Sequence, residues 1–177
     1  IIQSPWYWIN SSNKLFFIVQ AFLKYSSLRF MQKIRISIYR LFFKKLGRGV
    51  VIKDGVTFKF PSDIEINDGV KIAEQCYLVG LGGLSIGTNA LIGAGTKIAT
   101  TNHVFSDLSK DITHQGISYE PILIEDNVWL GFNVVVLSGC IIKKGAIVAA
   151  NAVVTNKLTP ENSIIMGVPA KIKKIRS

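Results

Sequence analysis

Acidic residues are missing from the first 53 positions of this chain, and Asp54 is the first to appear. Residues 1–45 hold eight Lys or Arg and no Asp or Glu, so most of the net charge of +10 belongs to this arm. A second basic cluster, Lys171-Ile172-Lys173-Lys174-Ile175-Arg176, lies near the other end. A basic balance admits nucleic acid as a partner, but no segment resembles an RNA- or DNA-reading module. Anionic lipid or phosphate-bearing ligands account for it better. Cysteine is scarce, with Cys76 and Cys140 alone, which leaves a reactive thiol or a disulfide framework only as the weaker alternative to core thiols; with no CxxC or Cys/His cluster, a zinc site is not expected either. Long apolar runs are missing as well. The arm's longest, Leu15–Leu23, is nine residues bracketed by Lys14 and Lys24, where a bilayer span needs about twenty. No small-residue cleavage site follows it, so a signal peptide is not expected.

What the chain does have is a period of six. From Ile124 an aliphatic residue returns at Leu130, Val136, Ile142, Val148 and Val154. Four residues after each of the first five comes a second small or β-branched residue: Val128, Val134, Cys140, Ala146 and Ala152. A helix repeats near 3.6 and a half-buried strand at 2, whereas a hexad fits short strands that turn a corner between repeats, the pattern of a parallel β-helix. The phase continues backwards through Ile86, Ile92 and Ile98, then Ile66, Ile72 and Leu78, then Leu46, Ile52 and Phe58. Grouped in threes, these positions predict five coils, and every insertion falls after a third face. One corner of the prism therefore carries all the extra residues. Both cysteines fall at the inward small position and read as core thiols.

The arm, residues 1–45, opens with Pro5-Trp6-Tyr7-Trp8, and Ser11-Ser12-Asn13 offers N-caps for a helix over Leu15–Leu23. From Leu28 to Leu46 the pattern turns amphipathic. Arg29, Lys33, Arg40 and Lys44 share one stripe, and Met31, Ile34, Ile38, Leu41 and Phe42 fall on the other side. Two readings stay open: the arm packs on the β-helix or a neighbouring subunit, or it lies on an anionic membrane surface.

The long insertion, residues 99–121, holds both histidines, His103 and His114. An excursion of this length inside a regular solenoid is usually functional or disordered. His103 follows directly on the last strand of its coil, where the scaffold still fixes the backbone.

Several motifs now coincide: Thr100-Thr101-Asn102-His103, Pro121 through Gly131 with Asn127 and Trp129, Leu137-Ser138-Gly139-Cys140, Val153 through Lys157, and Gly167-Val168-Pro169-Ala170-Lys171. Together they resemble the hexapeptide-repeat acyltransferases, in the branch of galactoside, maltose and polysaccharide O-acetyltransferases. The resemblance implies a mainly β fold, a left-handed parallel β-helix over 46–155, preceded by the helical arm and followed by a short extension, 156–177. It implies a homotrimer with sites between subunits, acetyl-CoA as cosubstrate without a metal, and His103 as the base. Imidazole suits that role, because a sugar hydroxyl is scarcely ionised at neutral pH. Asp107 and Glu120 are candidates to orient it. The same resemblance points to Asn102, Trp129 and Gln75 for the acceptor, and to Gly131, Phe132, Ala149 and Ala150 for the cofactor. Lys157 and Lys171 would meet its phosphates. Three positions depart from the pattern: Phe132 where a small residue is usual, Asn151 where glycine is usual, and Gln75 where an acceptor-binding Asn is found.

The leading expectation is an O-acetyltransferase acting on a glycan acceptor, a bacterial surface polysaccharide or its lipid-linked precursor. It would be cytoplasmic or peripheral on the inner face of the membrane. A serine acetyltransferase-like or other small-acceptor enzyme, or a non-catalytic β-helix scaffold, is the alternative. The carbonic anhydrases of this fold need three zinc-binding histidines, and the chain has two.

Overall fold

The computed structural model describes residues 11–155 and 157–176. The Pro5–Trp8 aromatics, Asn156 and the side chains of Ser11, Ser12 and Arg29 lie outside what is described. Two helices come first, α1 (Ser11–Leu23) and α2 (Arg29–Tyr39). The first coil holds β1 (Lys45–Leu46), β2 (Val51–Ile52) and β3 (Thr57–Lys59), the second β4 (Ile64–Ile66), β5 (Lys71–Ile72) and β6 (Tyr77–Val79). The third holds β7 (Leu84–Ile86), β8 (Leu91–Ile92) and β9 (Lys97–Ala99). A hairpin of β10 (Thr101–His103) and β11 (Ile117–Tyr119) interrupts the winding. The fourth coil resumes with β12 (Ile122–Ile124), β13 (Trp129–Leu130) and β14 (Val135–Val136), and the fifth with β15 (Ile141–Ile142), β16 (Ile147–Val148) and β17 (Val153–Val154).

Strands of like position stack into three parallel faces, β1-β4-β7-β12-β15, β2-β5-β8-β13-β16 and β3-β6-β9-β14-β17. Their registers align the hexads: Ile66 pairs with Ile86, Ile86 with Ile124, and Ile124 with Ile142. All the hexad aliphatics from Ile52 onward are buried, and each contributes about 1.5–3 kcal/mol by leaving water. Cys76 and Cys140 are free and buried among them, and burial pushes the Cys76 thiol up to about 11 and the Cys140 thiol up as well. These are packing residues, as expected.

The winding goes beyond the predicted five coils. Leu158 bridges to Ile141, and β18 (Ser163–Met166) lies parallel to β16 with Ile165 over Val148, beginning a sixth turn. An antiparallel strand, β19 (Lys171–Ile175), then covers the β18 edge with an exposed, Lys-rich sequence, a composition that discourages further strand addition.

A repeat of six leaves four residues for each plain corner. The third corner residue sits in the left-handed region, as at Gln75, Gly95, Asn133 and Asn151 between the second and third faces. Asparagine tolerates that conformation and glycine adopts it freely. The two also interlock, since a Cβ at Gly95 would collide with the Oδ1 of Asn133 one coil on.

The helices close the open end of the solenoid. Phe16, Tyr39 and Phe43 join the core against Phe58, with Phe43 and Phe58 edge-to-face at 4.9 Å. The Gln20 amide accepts from Phe58 N–H at 2.7 Å and donates to its carbonyl at 3.2 Å, doing for β3 what a neighbouring strand would do. Fully buried Arg35 donates to the carbonyls of Lys53 (2.6 Å) and Ser26 (2.5 Å). The amphipathic reading of the arm needs correction here. Ile34 and Leu41 face outward, while Arg35 and Tyr39 are the inward residues. The exposed coil end presents backbone carbonyls, which a guanidinium satisfies and hydrocarbon does not. Helix α2 also stops at Tyr39, which leaves Lys44 off the helical stripe and paired with Glu65 at 2.7 Å.

Candidate active site

The insertion is built outward from Thr100. Its side chain is buried, with the hydroxyl 2.7 Å from the Leu81 carbonyl oxygen and 3.0 Å from that of Val79, so the chain leaves β9 clamped to the coil below. The next three residues form β10, paired with β11 so that Thr101 faces Tyr119, Asn102 faces Ser118 and His103 faces Ile117. In the loop that joins the two strands, Gln115 ties the chain to itself: its amide donates to the carbonyls of Asp107 and Lys110, both at 2.8 Å, and accepts from Asp107 N–H at 2.9 Å. On its return the loop packs Tyr119 over Gly82 and Pro121 over Gly83. His103 and Asn102 therefore stand exposed at the base of a braced hairpin.

Both candidate orienters are engaged elsewhere. Asp107 accepts from the Ser109 hydroxyl (2.6 Å), from Ser109 N–H and from Lys110, and these bonds hold its carboxyl below the usual range. Glu120 pairs with Lys157. His114 lies farther out in a 3-10 turn, 3.7 Å from the Asp111 carboxylate, with both groups open to solvent.

A second cluster forms at the corner between the second and third faces. Gly131 stacks so closely on the next coil that a Cβ there would come within 2.7 Å of Ala150 N, and one at Gly93 within 2.5 Å of the Gly131 carbonyl. Gly93, Gly131 and Ala149–Ala150 thus make a column of small residues along one edge. Trp129, half exposed on β13, leads into this corner between Leu91 and Ile147. Phe132 projects from it, 63% exposed. The two rings wall a cavity of about 290 Å³, floored by Leu91 and Ile92 and bordered by Lys53, Lys71 and Glu74.

The structure therefore brings together Trp129, Gly131, Phe132, Ala149 and Ala150. It places Asn102 and His103 apart from them, on the hairpin of a different corner, and neither lines that cavity. Gln75 occupies the second coil's left-handed corner position, its amide against Gly55. Lys157 is held by Glu120, and Lys171 opens β19 opposite Met166. The bracing by Thr100, Gln115 and the Glu120–Lys157 pair was not anticipated. Thr100 stood in the quoted motif, but only the coil below shows what its hydroxyl reaches. Among the described residues, no three His, Cys, Asp or Glu side chains group to hold a metal ion, and no helix is long and apolar enough to cross a membrane.

Residues 121–156 match the bacterial transferase hexapeptide family (six repeats). Over these residues the chain carries the hexapeptide repeats that the family model describes. It is similar to a protein of Escherichia coli K12 provisionally named the lipopolysaccharide biosynthesis O-acetyl transferase WbbJ, 36% identical over 135 residues, 72% of this chain and 62% of that protein. It is also similar to a protein of the same organism provisionally named the colanic acid biosynthesis acetyltransferase WcaF, 29% identical over 163 residues, 92% of this chain and 86% of the other. Among solved structures, a hexapeptide-repeat acetyltransferase of Vibrio cholerae, complexed with acetyl-CoA, superposes with a TM-score of 0.84 at 27% identity, covering 93% of this chain and 87% of that one. The chain spans 49% and 62% of the length of two curated relatives it matches.

Proposed function

We propose that this protein transfers the acetyl group of acetyl-CoA to a sugar hydroxyl of a bacterial surface polysaccharide or its lipid-linked precursor, with His103 as general base. The observation that carries the reading is the braced hairpin, which holds an exposed imidazole on a coil like that of the acetyl-CoA-bound Vibrio enzyme. The relatives WbbJ and WcaF support a glycan acceptor.

His103 takes the hydroxyl proton as the oxygen attacks the thioester carbonyl carbon. The tetrahedral adduct then collapses, the carbon–sulfur bond breaks, and the imidazolium returns its proton to the departing thiolate. Backbone N–H groups suit the transient oxyanion. Column residues Gly131, Ala149 and Ala150 leave room for an extended cofactor along the edge, with Trp129 and Phe132 flanking it. Lys157 and Lys171 supply cations for its phosphates, and Asn102 and Gln75 serve the acceptor. Because hairpin and column occupy different corners of one chain, the reading puts His103 against the column of a second copy, which supports a homotrimer. The arm's outer side, with exposed Phe22, Phe30 and Leu41 among cations, suits peripheral contact with an anionic membrane.

Acetyl-CoA turnover with a panel of glycan acceptors tests this directly. Wild type is expected to acetylate a glycan and His103→Ala to lose that activity; undiminished turnover in the variant removes His103 as base. Phe132, standing where a small residue is usual, favours one second reading, a scaffold that has lost chemistry. Isothermal titration with coenzyme A separates the two, since a scaffold should not bind it.

A further inference from the structure

We propose that the cavity where the helical arm meets the first coil binds a phosphate group. It has a volume of about 470 Å³ and is lined by Arg40, Lys45 and Arg48 together with Asn67, Asp68 and Thr88. It lies at the corner between the first and second faces, away from both the hairpin and the Trp129–Phe132 cavity.

Three cations face one carboxylate, and that carboxylate is already committed: Asp68 Oδ1 accepts from Arg48 N–H at 2.8 Å. Elsewhere the fold pairs cations directly with acids, as Lys44 with Glu65 and Lys143 with Glu125, both at 2.7 Å. In this cavity the cations meet only neutral acceptors. Arg40 uses Nε and Nη2 on the carbonyls of Leu46 (3.3 Å) and Gly47 (3.0 Å), which fixes its plane and leaves Nη1 over. Lys45 donates to Asn67 Oδ1 at 2.5 Å. The Arg48 guanidinium makes no hydrogen bond or ion pair among the described residues. The floor is tight, since a Cβ at Gly47 would come within 2.5 Å of Asp68 Oδ1.

Two guanidinium groups and an ammonium around one concavity match the several acceptor oxygens and multiple charge of a phosphate better than a single carboxylate. The Thr88 hydroxyl adds a neutral donor. The ligand is thus a phosphate ester, carried either by a lipid headgroup or by a soluble molecule. The lipid source has support in Leu41, the residue after Arg40, which is 81% exposed.

The test compares the full chain with Arg48→Glu and, as a control of equal charge change, Lys173→Glu on exposed β19. One arm measures the thermal shift produced by inorganic pyrophosphate. The other measures cosedimentation with phosphatidylcholine vesicles with or without phosphatidylglycerol. Wild type and Lys173→Glu are expected to bind one probe alike, and Arg48→Glu to bind it about tenfold more weakly. Response to pyrophosphate identifies a soluble phosphate; response to phosphatidylglycerol vesicles alone identifies a lipid headgroup. Binding of neither probe overturns the proposal, as does equal weakening in both variants, which would reflect net charge, or unchanged binding by Arg48→Glu. None of these readouts depends on acetyl transfer, so the site stands or falls separately from the proposed activity.

Discussion

Two corners of this solenoid are alike in every coil, and the third varies through the first three coils before turning plainly, through Gly139, in the fourth. The plain corners turn in four residues through one left-handed position, and Asn and Gly interlock there from coil to coil. The third corner instead carries a 3-10 turn at Pro61–Asp63, a glycine pair at Gly82–Gly83 and then the hairpin with His103. A plain corner is constrained by the coils above and below it, so its residues are chosen by packing. The decorated corner is constrained near where it leaves and rejoins the stack, at Thr100 and over Tyr119–Pro121. The proposed base therefore sits where the stack makes the fewest demands.

The contrast breaks most sharply in a paired experiment. His103→Ala should lower kcat/KM by about 10²–10⁴-fold, while leaving the melting temperature unchanged, because the side chain is exposed. Leu78→Ala should do the reverse, costing about 2–5 kcal/mol of stability through the cavity left in the core, with the surviving folded fraction active. Kinetics and urea unfolding on both variants check this, and a His103→Ala that unfolds early would make the residue structural. A step smaller is Asn133→Val, which forces a β-branched side chain into the left-handed region. It should cost about 1–2 kcal/mol, whereas Asn133→Gly should stay within about 0.5 kcal/mol. Leu108→Ser at the loop, where the side chain is 98% exposed, should move stability by no more than about 0.5 kcal/mol.

The same contrast explains what could be read without coordinates. Inward residues from Ile52 to Val154 were legible because each hexad repeats the message of its neighbours, and a slip of one residue would move a whole strand's apolar set outward. The sixth turn was not legible, since it comes one residue early: Leu158 stands over Ile141 and Ile165 over Val148, each seventeen residues on, where Ile142 follows Ile124 by eighteen. The arm misled because the coil end that α2 meets offers backbone carbonyls, those of Ile52 and Lys53, beside its apolar core, so Arg35 goes in with Tyr39 and Leu41 stays out. That an excursion leaves the stack after β9 was legible from the break in the hexads, whereas the strand β10 that carries His103 was not. Nor was its bracing, because Gln115 and Glu120 find their partners across an aperiodic loop that no spacing rule describes.

The capped end offers a subtler test. Burial lifts the Tyr39 phenol to about 12, with Arg35 pulling the other way, against about 10 for an unfolded tyrosine. The folded pKa is the raised one, so this contribution is complete below pH 10 and is lost as the pH climbs towards 12. The Tyr39 hydroxyl also has no hydrogen-bond partner among the described residues. Tyr39→Phe should therefore flatten the loss of stability between pH 10 and 11 and leave stability at pH 8 unchanged or raised by up to about 1 kcal/mol. Urea midpoints across that range decide it, and an undiminished alkaline slope would assign the loss to other groups.

The smallest effect lies where the decorated corner is strapped to the last full coil. Glu120, at the end of the loop, pairs with Lys157, just past β17, and both side chains are more than half exposed. As a surface pair it should contribute no more than about 1 kcal/mol to stability, so Glu120→Gln should fold like the parent. Its consequence is for binding. If Lys157 meets a cofactor phosphate, Glu120 competes for the same ammonium, and removing its charge should lower KM for acetyl-CoA about twofold with kcat unchanged. Lys157→Ala should raise KM instead, and the two variants together should match Lys157→Ala alone, since Glu120 then has nothing to compete for. A KM that ignores both substitutions would make the pair a strap and nothing more. A KM that rises in Glu120→Gln would mean that the carboxylate positions Lys157 for the phosphate, which would carry the loop's influence from the acceptor side of the site to the cofactor side.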